Sequence, residues 1–136
     1  MIMKKNSYKI SIIGMGYVGL PLACEFGKHF EVIGFDINQD RILELKNRKD
    51  VTCEVNKIII NDAKKLIFTS DFDKIKDSNI YIVTVPTPIN KNKKPNLNPL
   101  KTATKMIGRY LNKNDIVIYE STVYPGATEE ICVPIL

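Results

Sequence analysis

The stretch that decides the fold is YKISIIGMGYVG at residues 8–19, followed by EVIGFD at residues 31–36. A short β-branched run leads into three glycines spaced G-x-G-x-x-G, and a helical pattern of apolar residues opens directly after Gly19. The second apolar run ends on Asp36. A strand, a glycine turn, a helix and a second strand ending on an acid form the context that a dinucleotide-binding fingerprint requires. We therefore expect this segment to bind a dinucleotide; the alternative is a glycine-rich turn without a ligand.

Each glycine of the fingerprint has a separate physical role. Gly14 allows the tight turn off the strand, Gly16 lets a pyrophosphate approach the backbone, and Gly19 lets the helix pack close to the sheet. The helix start offers unpaired N–H groups and a partial positive charge to phosphates. Together with the two residues between Gly16 and Gly19, the predicted pyrophosphate-binding residues are Gly14, Gly16, Tyr17, Val18 and Gly19.

The acid at the end of the second strand predicts which dinucleotide binds. Asp36 is suited to accept hydrogen bonds from both hydroxyls of an adenosine ribose and would repel a 2′-phosphate. No basic residue follows directly, since Ile37 and Asn38 come next. We therefore expect NAD rather than NADP as the cofactor. Arg41, near the start of the following helix, is predicted to lie over the adenosine end of the bound cofactor. The alternative, to which we give equal weight, is an arginine on the surface without a role in binding.

Length and composition are those of one soluble domain. The chain has 136 residues, 44% of them apolar and 26% charged. No apolar run approaches the length of a membrane span, and we see no signal peptide, so we expect no membrane partner. The three cysteines, Cys24, Cys53 and Cys132, are widely spaced, which suits a reducing cytoplasm and gives no metal-binding spacing.

The net charge of +5 comes with clusters of lysine at residues 4–5, 64–65 and 91–94. No aromatic residues are interleaved with these clusters, so we interpret them as a solvated lysine-rich surface and expect no nucleic-acid partner. A mild positive field would also attract ligands that carry diphosphates.

Strands and helices alternate along the chain. This alternation predicts an α/β fold, a Rossmann-type doubly wound parallel sheet in three layers. Residues 51–55 alternate like an extra strand, and residues 89–98 are typical of an exposed loop. The predicted strands cover residues 8–14, 31–36, 66–70, 80–85 and 115–121, and the predicted helices cover residues 17–29, 39–48, 56–65, 71–76, 99–111 and 127 onward.

Four separate segments are expected to meet in one crevice, because ligands of such sheets bind beyond the carboxyl ends of the strands. The segments are residues 14–19, Asp36, residues 86–88 and residues 120–122. The last two segments add Pro86, Thr87, Ser121 and Thr122 to the predicted site.

With these motifs in hand, the chain resembles the N-terminal NAD-binding domain of the UDP-glucose/GDP-mannose dehydrogenase family. The matching stretches are IGMGYVGLPLA at residues 13–23, GFD at residues 34–36, VPTP at residues 85–88 and ESTVYPG at residues 120–126. The form YPGATEE of the last motif resembles most the branch that oxidises UDP-N-acetylhexosamines. The resemblance covers nearly the whole chain from Tyr8.

The resemblance implies a four-electron oxidation for surface polysaccharide biosynthesis. The C6 alcohol of a UDP-sugar becomes a carboxylate, two NAD are reduced, and a cysteine thiolate carries the intermediate. By motif matching, Asp36 and Arg41 hold the adenosine ribose side and Thr87 lies along the cofactor, as do Pro86 and Ser121. Thr122 resembles the threonine that orders a water near the reacting carbon, which makes it the one predicted catalytic residue.

The chain departs from the family pattern in one respect. Family members carry the nucleophilic cysteine in a later Gly-Gly-x-Cys-type motif, which this sequence lacks. We predict that Cys24, Cys53 and Cys132 are packing residues instead. The end of the chain at residues 134–136, inside a helical pattern, favours a domain cut from a longer enzyme. The central helix, through which such enzymes usually form homodimers, and the UDP-sugar-binding domain are then absent, so we expect no catalysis by this chain alone.

Two other functions are compatible with the fingerprint. Other NAD-dependent dehydrogenases, such as 3-hydroxyacid dehydrogenases, share it but usually lack the turn STVYPG of residues 121–126. The other is a stand-alone NAD-binding regulatory module without catalysis, to which the missing nucleophile gives some weight.

Overall fold

A computed structural model describes residues 8–89 and 93–136. Within these residues five parallel strands form one sheet in the order β3-β2-β1-β4-β5. The strands are β1 (Lys9–Ile13), β2 (Glu31–Phe35), β3 (Leu66–Thr69), β4 (Ile80–Val83) and β5 (Ile116–Tyr119). The first strand therefore lies at the centre of the sheet, with β2 and β3 on one side of it and β4 and β5 on the other.

Helices cover both faces of this sheet, so the predicted doubly wound α/β fold is confirmed. A short 3-10 helix precedes β4, and the chain ends in a π-helical segment followed by one further 3-10 turn. The bounds are α1 (Gly19–Phe26), α2 (Gln39–Lys46), α3 (Lys57–Asp62), α4 (Asn98–Gly108), the 3-10 helix Phe72–Ile75, the π-helix Thr128–Cys132 and the last turn Val133–Ile135.

Two hydrophobic cores form because successive residues of a strand point to opposite faces. On one face, Ile12 and Ile82 pack in a buried cluster with Leu20 and other residues of the first three helices. On the other face, Ile13 and Val83 pack with residues of α4 and of the chain end. The apolar runs that form the central strands β1 and β4 are therefore buried on both faces of the sheet.

Asn38 precedes the helix predicted from residue 39, and its residue type predicts an N-cap for that helix. The side chain of Asn38 accepts hydrogen bonds from the N–H groups of Asp40 and Arg41, which confirms it as the N-cap of α2. Asp71 caps the 3-10 helix in the same way. The first helix is shorter than predicted, because residues 17–18 belong to the turn before it and the helix ends at Phe26, with Gly27 as its C-cap.

The strand predicted at residues 51–55 is wrong. The segment is a compact loop in which Arg48 and Cys53 have positive φ angles of 59° and 57°. The carboxylate of Asp50 accepts hydrogen bonds from the N–H groups of Thr52, Glu54 and Val55. Backbone groups that bind one carboxylate are not available to a sheet, so the alternation of apolar residues did not produce a strand.

Two further segments bear on the predictions. Residues 90–92 of the predicted exposed loop lie outside the described residues, and Ile89 pairs with Pro95 in an isolated antiparallel bridge. The last predicted helix, from residue 127 onward, is a π-helical and 3-10 segment rather than an α-helix. In the described part of the chain, we find no helix with the length and apolar character to span a bilayer.

Candidate cofactor-binding site

The glycine turn after β1 is held between its two neighbouring strands. The N–H of Gly14 donates a hydrogen bond of 2.8 Å to the carbonyl oxygen of Phe35. The hydroxyl of Thr84, just past β4, donates to the carbonyl oxygens of Ile13 and Gly14 at 3.1 and 2.8 Å. Gly14 has a φ angle of +106°, which an L-amino acid with a side chain adopts only under strain. The turn is therefore positioned by the sheet rather than by its own sequence alone.

The other two glycines of the fingerprint meet different surroundings. A Cβ atom at Gly19 would lie 1.8 Å from the carbonyl oxygen of Gly14, so the start of α1 packs against the turn at a distance that only glycine permits. Apart from its two chain neighbours, no described residue has an atom within 4 Å of a Cβ atom placed at Gly16. The side chain of Val18, the N-cap of α1, makes no capping hydrogen bond. Open space above Gly16 and an uncapped helix start are the features that a phosphate-binding turn needs.

Asp36 stands at the end of β2, beside the glycine turn. One carboxylate oxygen accepts a hydrogen bond of 2.8 Å from the N–H of Met15, and the other accepts one of 2.9 Å from the N–H of Asn38. These bonds fix the orientation of the carboxylate. Each oxygen of an ionised carboxylate has a second acceptor position, so two ribose hydroxyls can be bound in addition.

Arg41 is a buried residue and not the surface arginine of the alternative interpretation. Its Nε donates a hydrogen bond of 2.9 Å to the carbonyl oxygen of Met15, at the centre of the glycine turn. Its Nη1 lies 2.7 Å from the carboxylate of Glu44, and its Nη2 lies 2.9 Å from that of Asp50. Arg41 thus joins α2 to the turn and to the loop that follows α2.

Hydrogen bonds lower the pKa of the Asp50 carboxyl. Burial by itself would raise the pKa of its carboxyl, but hydrogen bonds from Thr52, Val55 and Arg41 outweigh that effect and lower the pKa to about 2. The carboxylate therefore remains ionised beside Arg41 at neutral pH.

A cleft of about 590 Å³ opens between the glycine turn, the end of β2, the segment after β4 and α4. It contains five of the predicted site residues, Gly14, Gly16, Asp36, Arg41 and Pro86. The wall that α4 provides was missed by the sequence analysis, although its spacing of i, i+3, i+4 and i+7 on one helix face was a usable signal. The lining residues of this wall are Asn98, Pro99, Thr102, Ala103 and Met106.

Other predicted residues lie around this cleft without lining it. Tyr17 and Val18 are exposed in the turn before α1. The hydroxyl of Thr87 donates a hydrogen bond of 2.6 Å to the carbonyl oxygen of Thr122, and the hydroxyl of Ser121 donates one of 2.7 Å to that of Val85. The segments after β4 and β5 are therefore joined to each other, and three of the four expected segments share the cleft itself.

None of the three cysteines lines this cleft. Cys24 and Cys132 are buried in the two cores, as predicted for packing residues. Burial, and next the charge of Asp50, raises the pKa of the Cys24 thiol to about 11, so it is not a thiolate at neutral pH. The prediction was wrong for Cys53, which is exposed on the compact loop after α2 and contributes to neither core.

A parallel sheet of order 3-2-1-4-5, with a glycine turn where the strand order reverses and an acid at the end of β2, defines a dinucleotide-binding Rossmann domain. The comparison with known families is more specific. The chain belongs to the UDP-glucose/GDP-mannose dehydrogenase family, whose NAD binding domain matches residues 8–136. The predicted family and the predicted cofactor, NAD, are thereby confirmed.

Relatives and solved structures agree with this assignment. The chain is 61% identical over 131 residues to UDP-N-acetyl-D-glucosamine 6-dehydrogenase of Salmonella typhi, covering 96% of this chain and 31% of that protein. It is 56% identical over 128 residues to the enzyme of the same name from Pseudomonas aeruginosa, covering 94% and 30%. The crystal structure of a ternary complex of GDP-mannose dehydrogenase from Pseudomonas aeruginosa superposes with a TM-score of 0.86 at 29% identity, covering 93% and 31%. The chain therefore spans about a third of the length of these relatives.

Proposed function

We propose that this chain is the cofactor domain of an NAD-dependent UDP-N-acetylhexosamine 6-dehydrogenase, which oxidises the C6 alcohol of its substrate to a carboxylate. The observation that carries the proposal is the identity of 61% and 56%, over nearly the whole chain, to two UDP-N-acetyl-D-glucosamine 6-dehydrogenases. We further propose that the complete enzyme works in the cytoplasm as a homodimer and supplies uronates for surface polysaccharides. The UDP-sugar-binding domain, the central helix and the nucleophilic cysteine would then belong to sequence outside this chain.

The residues of the cleft are suited to the cofactor. The open space above Gly16 leaves room for a pyrophosphate, and the uncapped start of α1 offers N–H groups to it. Asp36 has free acceptor positions for the adenosine ribose hydroxyls, and the cleft beside it is walled by apolar and amide side chains of α4. When bound, NAD supplies the hydride acceptor of the oxidation.

The remaining predicted residues would act near the reacting end of the cofactor. The hydroxyl of Thr87 is bonded to the backbone of Thr122, and that of Ser121 to the backbone of Val85. In our proposal these two bonds hold the segment after β5 in place. The side chain of Thr122 is then free to order a water near the reacting carbon.

The proposal is tested in two steps. Isothermal titration with NADH should show binding to the chain of 136 residues, and this chain should form no NADH from any UDP-sugar. A chimera, in which the chain replaces the aligned 131 residues of the Salmonella typhi relative, should form NADH from UDP-N-acetyl-D-glucosamine and elute as a dimer on size exclusion. Absence of NADH binding to the chain would refute the cofactor assignment. A chimera that binds NADH but oxidises only UDP-glucose would refute the assignment to UDP-N-acetylhexosamines.

A further inference from the structure

One arginine and two carboxylates form a buried cluster at the edge of the cleft. The side chains of Arg41, Glu44 and Asp50 are only 9%, 17% and 1% exposed. Two negative charges face one positive charge, so the cluster carries a net charge of −1 when all three are ionised. As a whole, the cluster therefore presents no net positive charge to a ligand, although Arg41 lines the cleft.

Each nitrogen of the Arg41 guanidinium also donates a hydrogen bond within the protein. Its Nε donates to the carbonyl oxygen of Met15, its Nη1 to Glu44, and its Nη2 to the hydroxyl of Thr52 as well as to Asp50. All three nitrogens therefore have acceptors within the protein. Charge-assisted pairs of this kind are short and directional, so they hold the guanidinium in one orientation.

The position of Arg41 gives this arrangement a consequence for cofactor choice. Arg41 and Asp36 line the same cleft, and the arginine follows the acid on the next helix. In dinucleotide-binding folds an arginine near this acid is the residue that accommodates the 2′-phosphate of NADP. Arg41 thus lies where a cation could bind the 2′-phosphate of NADP, but its guanidinium is paired with the carboxylates of Glu44 and Asp50.

We propose that Glu44 and Asp50 are specificity-determining residues that act through Arg41, pairing with its guanidinium and thereby withholding it from a 2′-phosphate. This inference rests on the proposed binding of the adenosine ribose at Asp36. Asp36 repels the phosphate directly, and the two carboxylates deny it a counter-charge. A phosphate monoester carries a charge of about −1.5 to −2 near pH 7, so it is disfavoured beside a cluster of net charge −1.

The two carboxylates are not equally useful as probes. Asp50 also accepts hydrogen bonds from Thr52, Glu54 and Val55, so changing it disturbs the whole loop. Among the described residues, the carboxylate of Glu44 accepts hydrogen bonds only from Arg41 and from the N–H of Val51. Glu44→Gln keeps the shape and an acceptor oxygen of this side chain and removes its charge.

The experiment compares NADPH and NADH binding to variants of the whole chain by isothermal titration. In an Asp36→Asn background, Glu44→Gln should tighten NADPH binding about fivefold and leave NADH binding within about twofold. Raising the salt concentration should remove the gain, because it arises from charge. The matched control is Glu25→Gln on α1, which removes one charge from an i,i+3 ion pair with Lys28 and does not line the cleft.

The outcomes separate this inference from the proposed function. Equal effects of Glu44→Gln and Glu25→Gln on NADPH would overturn the inference, since net charge alone would then be responsible. An unchanged NADPH affinity in the presence of normal NADH binding would overturn it as well and leave the proposed function intact. Glu44→Met, which also removes the charge and keeps a good helix former, provides a second variant that should give the same preference.

Discussion

The carboxylate of Asp36 and the backbone N–H of Met15 are joined by a hydrogen bond of 2.8 Å across 21 residues of sequence. This bond connects the end of β2 to the middle of the glycine turn. The residue expected to select the cofactor is therefore also a structural support of the turn. A change at Asp36 should affect both cofactor choice and stability.

We predict that the chain binds NAD more tightly than NADP and that Asp36→Asn narrows this difference, because the repulsion of the 2′-phosphate is removed while the shape is kept. The variant should also melt at a lower temperature, since the single amide oxygen of asparagine cannot accept hydrogen bonds from the N–H groups of both Met15 and Asn38. Isothermal titration and thermal unfolding measure the two effects. Asp40→Asn, at an exposed position in the first turn of α2, is the control for lost charge. Equal affinities of the unmodified chain for NAD and NADP would contradict the prediction.

The glycines of the turn should respond differently to substitution. Gly16→Val should abolish NAD binding without changing the circular dichroism spectrum. A Cβ atom at this position meets no neighbouring side chain of the fold, but the valine would fill the space expected for the pyrophosphate. Binding is measured by titration with NADH. Retained binding would show that the phosphates do not lie on this turn.

Gly19→Ala is the contrasting variant. Its Cβ atom would lie 1.8 Å from the carbonyl oxygen of Gly14 and 2.5 Å from the hydroxyl of Thr84, so α1 or the turn must move. We expect a loss of about 2 kcal/mol or more in the free energy of unfolding, as measured by urea denaturation. A Gly19→Ala variant as stable as Gly16→Val would contradict this account.

Asp50 should make stability depend on pH in the acid range. Its pKa of about 2 in the fold lies below the ordinary value of 3.8, so the ionised carboxylate stabilises the fold above about pH 4, and this stabilisation is lost as the pH falls toward 2. The contribution is about 2 kcal/mol. The difference in unfolding free energy between the unmodified chain and Asp50→Asn should therefore be largest above pH 4 and shrink toward pH 2. A difference that stays constant across this range would argue against an ionised Asp50.

The thiols should differ in reactivity because they differ in exposure. Cys53 is exposed, whereas Cys24 and Cys132 are buried and the pKa of Cys24 is raised to about 11. We expect a thiol-specific reagent at pH 8 to modify one thiol in the folded chain and three after denaturation. Cys53→Ser should remove the rapid reaction. Rapid modification of Cys24 in the folded variant would show that the hydrophobic core around Ile12 and Leu20 opens readily.

Thr122 should affect turnover more than cofactor binding. In the chimera with the Salmonella typhi relative, Thr122→Ala should lower kcat about tenfold or more and change the KM for NAD little, since the lost hydroxyl acts on the reacting water. The Thr87 hydroxyl bonds the backbone of Thr122, so the loop should keep its position in this variant. NADH formation is followed by absorbance. A rise in KM with kcat unchanged would place Thr122 in cofactor binding alone.

The sequence by itself was sufficient for the features that depend on neighbouring residues. The glycine spacing, the acid at the end of β2 and the N-cap Asn38 are local, because each satisfies turn geometry or N–H groups within a few positions. The alternation of apolar strands with helices also predicted the parallel sheet, because it can be read from the order of segments along the chain. The quoted motifs were also enough to predict the family.

Only the tertiary structure decided which side chains share the cleft and what holds them. Arg41 reaches Met15 across 26 residues, and Ser121 reaches Val85 across 36, so neither pair is visible in a local pattern. The loop of residues 50–55 has the alternation of a strand, but the carboxylate of Asp50 binds its backbone groups instead. The charge that Arg41 shows to a ligand depends in the same way on carboxylates brought to it by folding, because an ion pair is set by distance in space and not by position in the chain.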